Sequence, residues 1–187
     1  ILLSLVGSEM CIRDRNIIAF EPMKKPFLEL KKIEKKEKVR FRCFNIALSN
    51  IKGEKEIFFT NPSSQLSSIA VNLNQINFLR EKKIKKRKIQ VDTLDNFAKK
   101  NKYLFKKKID FIKIDTEGND LKVLLGSKEI IKKHRPKLIQ VEMNYHYLFS
   151  GENLWQFSKF LGDYDVYQIM PFNNGLLKID PTRPENN

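Results

Sequence analysis

The chain reads as an α/β domain built on a mostly parallel sheet covered on both faces by helices. Three observations predict this. Short apolar runs alternate with segments whose apolar residues recur at helical spacing, the pattern of strand and crossover helix rather than of successive hairpins. Several of those runs, in "NIIAFEP", "IDFIKID" and "PKLIQVEMN", are continuously apolar, as strands buried on both faces are. Acidic residues stand where the runs stop: Glu21, Asp115 with Glu117 close behind, and Glu142. In parallel sheets ligands bind beyond the carboxyl ends of the strands, so such a fold gathers these acids along one rim.

The elements follow in order. "NIIAFEP" is a buried strand closed by Glu21 and Pro22, and "KPFLELKKIEKK" is a helix with Phe27, Leu28, Leu30 and Ile33 on one side and lysines outside. "VRFRCFNIALS" alternates Val39, Phe41 and Cys43 with Arg40 and Arg42, then turns fully apolar, as a second strand does. "GEKEIFFTNPSS", bracketed by Gly53 and Pro62, reads as a turn and an edge strand. A polar stretch over 63–88 holds one helix around 73–80. "KIQVDTLDNFAKK" gives a strand, then Asp92 or Thr93 as a cap for a helix that buries Leu94, Phe97 and Ala98. After "IDFIKIDTEGNDLKVLLGS", a strand leading through Gly118 into a helix, come a strand in "PKLIQVEMN" and a helix across "ENLWQFSKFLG". Two last strands lie in "DVYQIMPF" and "GLLKIDP", and 181–187 is a frayed tail.

With 187 residues, 41% of them hydrophobic, the chain holds one domain with a real core. Its formal charge of +14 comes mostly from lysine strewn through runs such as "REKKIKKRK", which read as solvated faces. A basic nucleic-acid-binding α/β protein is the alternative that this charge raises, but no RNA- or DNA-binding motif organises the lysines, so no specific nucleic acid is expected. Cys11 and Cys43 are far apart and lack metal-ligand spacing, which excludes a zinc site and a disulfide framework. No run approaches a membrane span, and "ILLSLV" lacks the flanks and length of a signal peptide. A cytoplasmic protein is expected.

Residues 1–15 stand apart. "SLVGSEMCIRDR" closely resembles the translated adapter sequence that contaminates some metagenomic assemblies, so this segment is expected to be a non-native leader, with authentic sequence from about Asn16. The other reading of "ILLSLVG" is an ordinary N-terminal strand.

"AFEP", "NIALSNIKG", "VDTLDNFA", "FIKIDTEGNDLKVLLG" and "PKLIQVEMN", in this order and at these intervals, resemble the FkbM-type S-adenosylmethionine-dependent methyltransferases. The resemblance covers 16–170. It implies a Rossmann-like class I methyltransferase fold with an antiparallel C-terminal edge, a domain over 16–180, and O-methylation of a hydroxyl on a sugar, polysaccharide or natural product. The family's first strand and glycine-rich loop belong before "NIIAFEP" and are not seen there, so the domain is expected to be incomplete at its N-terminus. A nicotinamide-dependent Rossmann oxidoreductase is the other enzyme class compatible with such a sheet; it too needs a glycine-rich fingerprint.

On this template Glu21 is placed to accept the ribose hydroxyls of S-adenosyl-L-methionine. Ala47 and Leu48 would pack on the adenine, with Asn45, Ser49 or Asn50 bonding its edge. Methyl transfer to an alcohol needs the hydroxyl proton removed or the oxygen held by a metal, and Asp115 is the leading candidate base. Glu117 either shares that task or caps the following helix; Glu142 completes the acidic set. Asp115, Glu142 and Asn144 form the alternative, an oxygen set for Mg²⁺. His146 is a spare base or ligand, and Lys113 is either inward or a solvated strand residue. The acceptor pocket, for a small molecule or glycan, is expected from 63–88, including Ser67 and Ser68, and from the loops after Met143. There Tyr145, Tyr147 and Trp155 either stack on a sugar or belong to the core.

Overall fold

A computed structural model describes residues 16–37, 41–60, 67–69, 83–143, 147–170 and 175–183. The helix expected at 73–80 and the 1–15 segment lie outside the described residues, as do Asn144, Tyr145 and His146.

Strand β1 (Ile17–Phe20) runs parallel to β2 (Phe41–Phe44), from Ile17 opposite Phe41 to Phe20 opposite Phe44. The crossover between them is α1 (Lys24–Glu37). Pro26 is tolerated because it falls in the first turn, where a backbone N–H has no helical partner to lose. Phe27, Leu30 and Ile33 pack on Ala19, Phe41 and Cys43. Leu28, expected on that face, is instead 48% exposed, because it falls outside the stripe that a spacing of three to four residues can turn inward.

The apolar segment after Cys43 is not one strand. It breaks at 45–46, and β3 (Ala47–Leu48) leaves the β1–β2 pair to join a second sheet of order β3-β6-β4-β5. Here β6 (Lys85–Asp92) is parallel to β3 and antiparallel to β4 (Gly53–Phe59), and β4 is antiparallel to β5 (Ser67–Ser68). The edge position expected for β4 is therefore corrected. It lies between two strands, and its alternation drives Ile57 and Phe59 into a cluster with Met23, Ala47, Ile89 and Val91.

Helix α2 (Leu94–Lys100) starts as the sequence predicts, with Thr93 Oγ1 accepting the Asn96 N–H at 3.0 Å. A 3₁₀ turn (Lys102–Phe105) follows. Strand β7 (Phe111–Ile114) is parallel to β8 (Leu138–Val141), with Ile114 opposite Val141. Between them the expected single helix is two, α3 (Asp120–Leu125) and α4 (Lys128–His134). Gly126 separates them, and a Cβ there would collide with the Ser49 carbonyl oxygen. Asp95 of α2 caps α4, accepting the N–H groups of Glu129 and Ile130 at 3.0 and 2.9 Å. A short α5 (Tyr147–Ser150), which the sequence did not announce, precedes α6 (Leu154–Leu161), opened by a capping box of Asn153 and Gln156. Strands β9 (Tyr167–Ile169) and β10 (Leu176–Lys178) form an antiparallel pair.

The α/β class holds, with parallel pairing in β1–β2, β3–β6 and β7–β8, but among the described residues the strands form four separate sheets rather than one. Side chains hold these pieces together. Phe20 and Phe44 of the first pair close edge-on around Phe97 of α2, with ring centres 4.9 and 4.7 Å away. Leu48 packs both on that cluster and on the one formed by Ile114, Val123, Leu124, Ile131, Tyr147 and Phe157. Among the described residues no helix is long and apolar enough to cross a membrane.

The close approach at Gly126 gives a first prediction. Gly126→Ala has to displace the backbone at Ser49, and overpacking of this kind costs about 1–3 kcal/mol. Thermal unfolding should show a drop of several degrees; an unchanged midpoint would mean that α3 and β3 are not locked together there.

Candidate active site

Parallel pairing of β7 with β8 decides the geometry of the acids. Since Ile114 lies opposite Val141, the next residue of each strand, Asp115 and Glu142, emerges beside the other at the same end. Their carboxyls are within hydrogen-bonding reach. Lys113 shares its strand face with Asp115, two residues on, and its Nζ stands 3.4 Å from Asp115 Oδ2, both side chains being largely buried. This settles the orientation of Lys113 as inward. The contact with Asp115, then burial, then the charges of Asp115 and Glu117 push the Glu142 carboxyl up to about 7, with Lys113 pulling the other way. Sequence reasoning brought Asp115, Glu117 and Glu142 to one place, and the structure does bring them together.

The loop after Asp115 is strained and firmly held. Glu117 has φ of 53° and Gly118 of 90°, so two successive residues are left-handed. For a residue with a Cβ that costs about 1–2 kcal/mol, which surrounding bonds have to offset. Ser68 Oγ donates to the Glu117 carbonyl at 2.7 Å, and the Thr116 N–H donates to Asp120 Oδ1 at 3.2 Å. The fully buried Asn119 donates through Nδ2 to the Leu48 carbonyl at 3.0 Å and accepts from Ser49 Oγ at 3.3 Å. The acid that receives loop N–H groups is thus Asp120. Burial pushes its carboxyl up to about 6, against the bonds that Thr116 and Gly118 supply.

Glu21 stands just past β1. Its Oε1 accepts the Met23 N–H at 2.7 Å, and burial raises its carboxyl above the usual range against the effect of that bond. Asn45 donates from Nδ2 to the carbonyls of Glu21 and Pro22, at 2.8 and 2.9 Å, and so fastens the ends of β1 and β2 to each other. Ala47 and Ser49 are buried, and Leu48 packs into two core clusters. What these three visibly do is internal: packing, and bonding to Asn119. Ser68 lies in the site's framework, not on an open pocket wall. Tyr147 is buried, which supports its core reading, whereas Trp155 is exposed with Lys159 Nζ 4.8 Å from its ring centre.

The divalent-metal alternative fits poorly. An ammonium already stands against Asp115, Asn144 lies outside the described residues, and among those described no group of three or more His, Cys, Asp or Glu is arranged to hold a metal.

A protein-family model for the methyltransferase FkbM domain matches residues 9–167. The chain belongs to that family. It is a methyltransferase, and the matched span runs from within the 1–15 segment to the first residue of β9. Comparison with curated proteins and with solved structures gives no match. Methyltransferases of this kind generally use S-adenosylmethionine. The residues present suit part of that group: Glu21 places a part-buried carboxyl at a strand end, and its Oε1 already accepts the Met23 N–H.

The methyltransferase's acid cluster sets the sign of a pH effect. The folded chain keeps the Glu142 proton up to about pH 7, whereas the unfolded chain releases it near the ordinary glutamate value of 4.5. The folded state then binds more protons between these values, so stability falls as pH rises through that window. Glu142→Gln has no proton to lose there. Urea unfolding at about pH 5 and about pH 8 should show a flatter dependence in the variant than in the parent; equal slopes would mean that Glu142 is not raised.

Proposed function

We propose that this chain is an S-adenosylmethionine-dependent O-methyltransferase acting on a hydroxyl of a sugar, polysaccharide or natural product. The observation that carries the reading is the contact between Asp115 and Glu142 with Lys113 beside them. Two carboxyls in contact resist ionising together, so one proton stays on the pair near neutral pH. The contact with Asp115 and burial raise Glu142, so Glu142 carries the proton. Asp115 is then the general base that takes the acceptor's hydroxyl proton, and Glu142 is the neutral partner able to donate a hydrogen bond to it or to the acceptor oxygen. Glu117 adds the negative charge that keeps Glu142 protonated. S-adenosylmethionine, when bound, supplies an electrophilic methyl group. Glu21 would hold its ribose, with Asn45 keeping Glu21 in place and itself exposed for a polar contact.

In the same reading residues 16–180 form the methyltransferase unit and 181–187 are a tail, while the family match already begins at residue 9. Its sheet is of the Rossmann-like kind. Supporting this, β1–β2, β3–β6 and β7–β8 are all parallel pairs, with a helix crossing over from β1 to β2 and helices between β7 and β8.

Titration calorimetry with S-adenosylmethionine, paired with transfer of a labelled methyl group to a panel of sugars and polyols, tests the proposal. Removing a general base costs about 10²–10⁴-fold, so Asp115→Asn should lose transfer by that factor while binding S-adenosylmethionine as the parent does. Glu21→Gln should show the reverse, an affinity about tenfold weaker from the loss of a charge-assisted bond. Unchanged turnover in Asp115→Asn would remove that residue from the mechanism.

A further inference from the structure

We propose that Asp120, backed by Tyr147 and Glu152, is the positioning residue that holds the 115–119 loop, and with it Asp115, in contact with Glu142. The inference rests on the reading of Asp115 and Glu142 as the reacting pair.

Asp120 is the first residue of α3 and is fully buried beneath the loop. Through Oδ1 it takes the N–H of Thr116, the residue after Asp115, and it also draws on the Gly118 N–H. Two bonds to one carboxylate therefore span the left-handed turn at Glu117 and Gly118. Glu152, from the segment before α6, accepts the Leu121 N–H through Oε2 at 3.2 Å, so a second buried acid secures the same helix one residue further on. Tyr147 follows the other strand: it opens α5, five residues beyond Glu142, and its ring is held 5.8 Å from that of Phe157. Its hydroxyl lies beside the Asp120 carboxyl, and the charges of Asp120, Glu152 and Glu142 all act on it, driving its ionisation upward after the effect of burial.

The cluster concentrates polar groups in a buried space. The Thr116 and Tyr147 hydroxyls both turn toward the Asp120 carboxyl, and Glu152 shares the same buried space. Apolar side chains would fill the space more cheaply unless the charge matters. What the cluster can do is fix the loop that carries Asp115. Tyr147 is the neighbour shared by the buried acids and Glu142; Asp120 faces Tyr147, Thr116 and Glu152, while Glu152 also faces Lys122. Glu142 in turn faces Asp115, Glu117 and Lys113. Loss of the clamp lets Asp115 withdraw from Glu142, which removes the largest cause of the raised Glu142 ionisation.

Carboxyl-carbon NMR titration of the whole chain tests this, with the Glu142 signal assigned by Glu142→Gln. It needs neither S-adenosylmethionine nor an acceptor, so a failure here is separable from a failure of methyl transfer. The parent should titrate at Glu142 near 7. Asp120→Asn keeps the shape and loses the charge, and Tyr147→Phe keeps the ring and loses the hydroxyl. Each should bring the Glu142 midpoint down by about one pH unit or more, a change that a purely structural role does not produce. A Glu142 midpoint that stays at the parent value in folded Tyr147→Phe overturns the proposal, even if the melting temperature has fallen. Where Asp120→Asn does not fold, Tyr147→Phe and Glu152→Gln decide the outcome by the same measurement.

Discussion

One buried amide holds the active-site side of this molecule together. Asn119 bonds the Leu48 carbonyl with its Nδ2 and receives Ser49 Oγ on its Oδ1, so the loop after β7 is sewn to the end of β3, 71 residues away in sequence. Both partners are otherwise without a sheet in common, because β3 pairs with β6 and β7 with β8. Leaving any of these buried groups unpaired costs about 1–3 kcal/mol, so the amide and the two strand ends stay together or fail together. Leu48 below and Gly126 beside the same junction add close packing to the bond. The acids are carried by this junction rather than by a continuous sheet.

From that junction outward, strain and charge are arranged in one small volume. The left-handed turn at Glu117 and Gly118 redirects the chain from the end of β7 into α3 within five residues. The β7–β8 register sets Asp115 beside Glu142, and Ser68 pins the Glu117 carbonyl while Asp120 pins the Thr116 N–H. The consequence is electrostatic. Two carboxyls are kept in contact against their repulsion, with one lysine alongside, and this is how a site divides one acid and one base between chemically similar groups.

Much of this was legible in the sequence, and the rest was not for identifiable reasons. The Thr93 cap, the apolar face of α1 and the strand ends at Glu21, Asp115 and Glu142 depend on neighbours within a few residues, which spacing reports directly. The division of "VRFRCFNIALS" into β2 and β3 was missed because both halves are apolar and the break at 45–46 carries no glycine or proline. The interior place of β4 was missed because its exposed half, Gly53 to Glu56, is charged like an edge strand, and only pairing with β5 and β6 reveals otherwise. Ser68, Asn119, Asp120 and the inward Lys113 act through bonds that reach across the chain or through a fold-specific face. Their one local signal is that "TEGND" carries polar residues where a buried helix begins.

The strongly basic composition has little authority over the acid pair. Most of the lysines stand on exposed faces, as in β6, where Lys85, Lys86, Arg87 and Lys88 are all solvent-facing and Lys86 is paired with Glu56 at 3.0 Å. Charges in water lose influence beyond a screening length of about 8 Å at physiological salt. A net charge of +14 spread over such a surface would favour ionised carboxyls everywhere, yet Glu142 is raised, because Asp115 touches it and Glu117 stands near. Contact geometry therefore outweighs net charge at this site, and the loop that enforces the contact, rather than the lysine content, governs its chemistry.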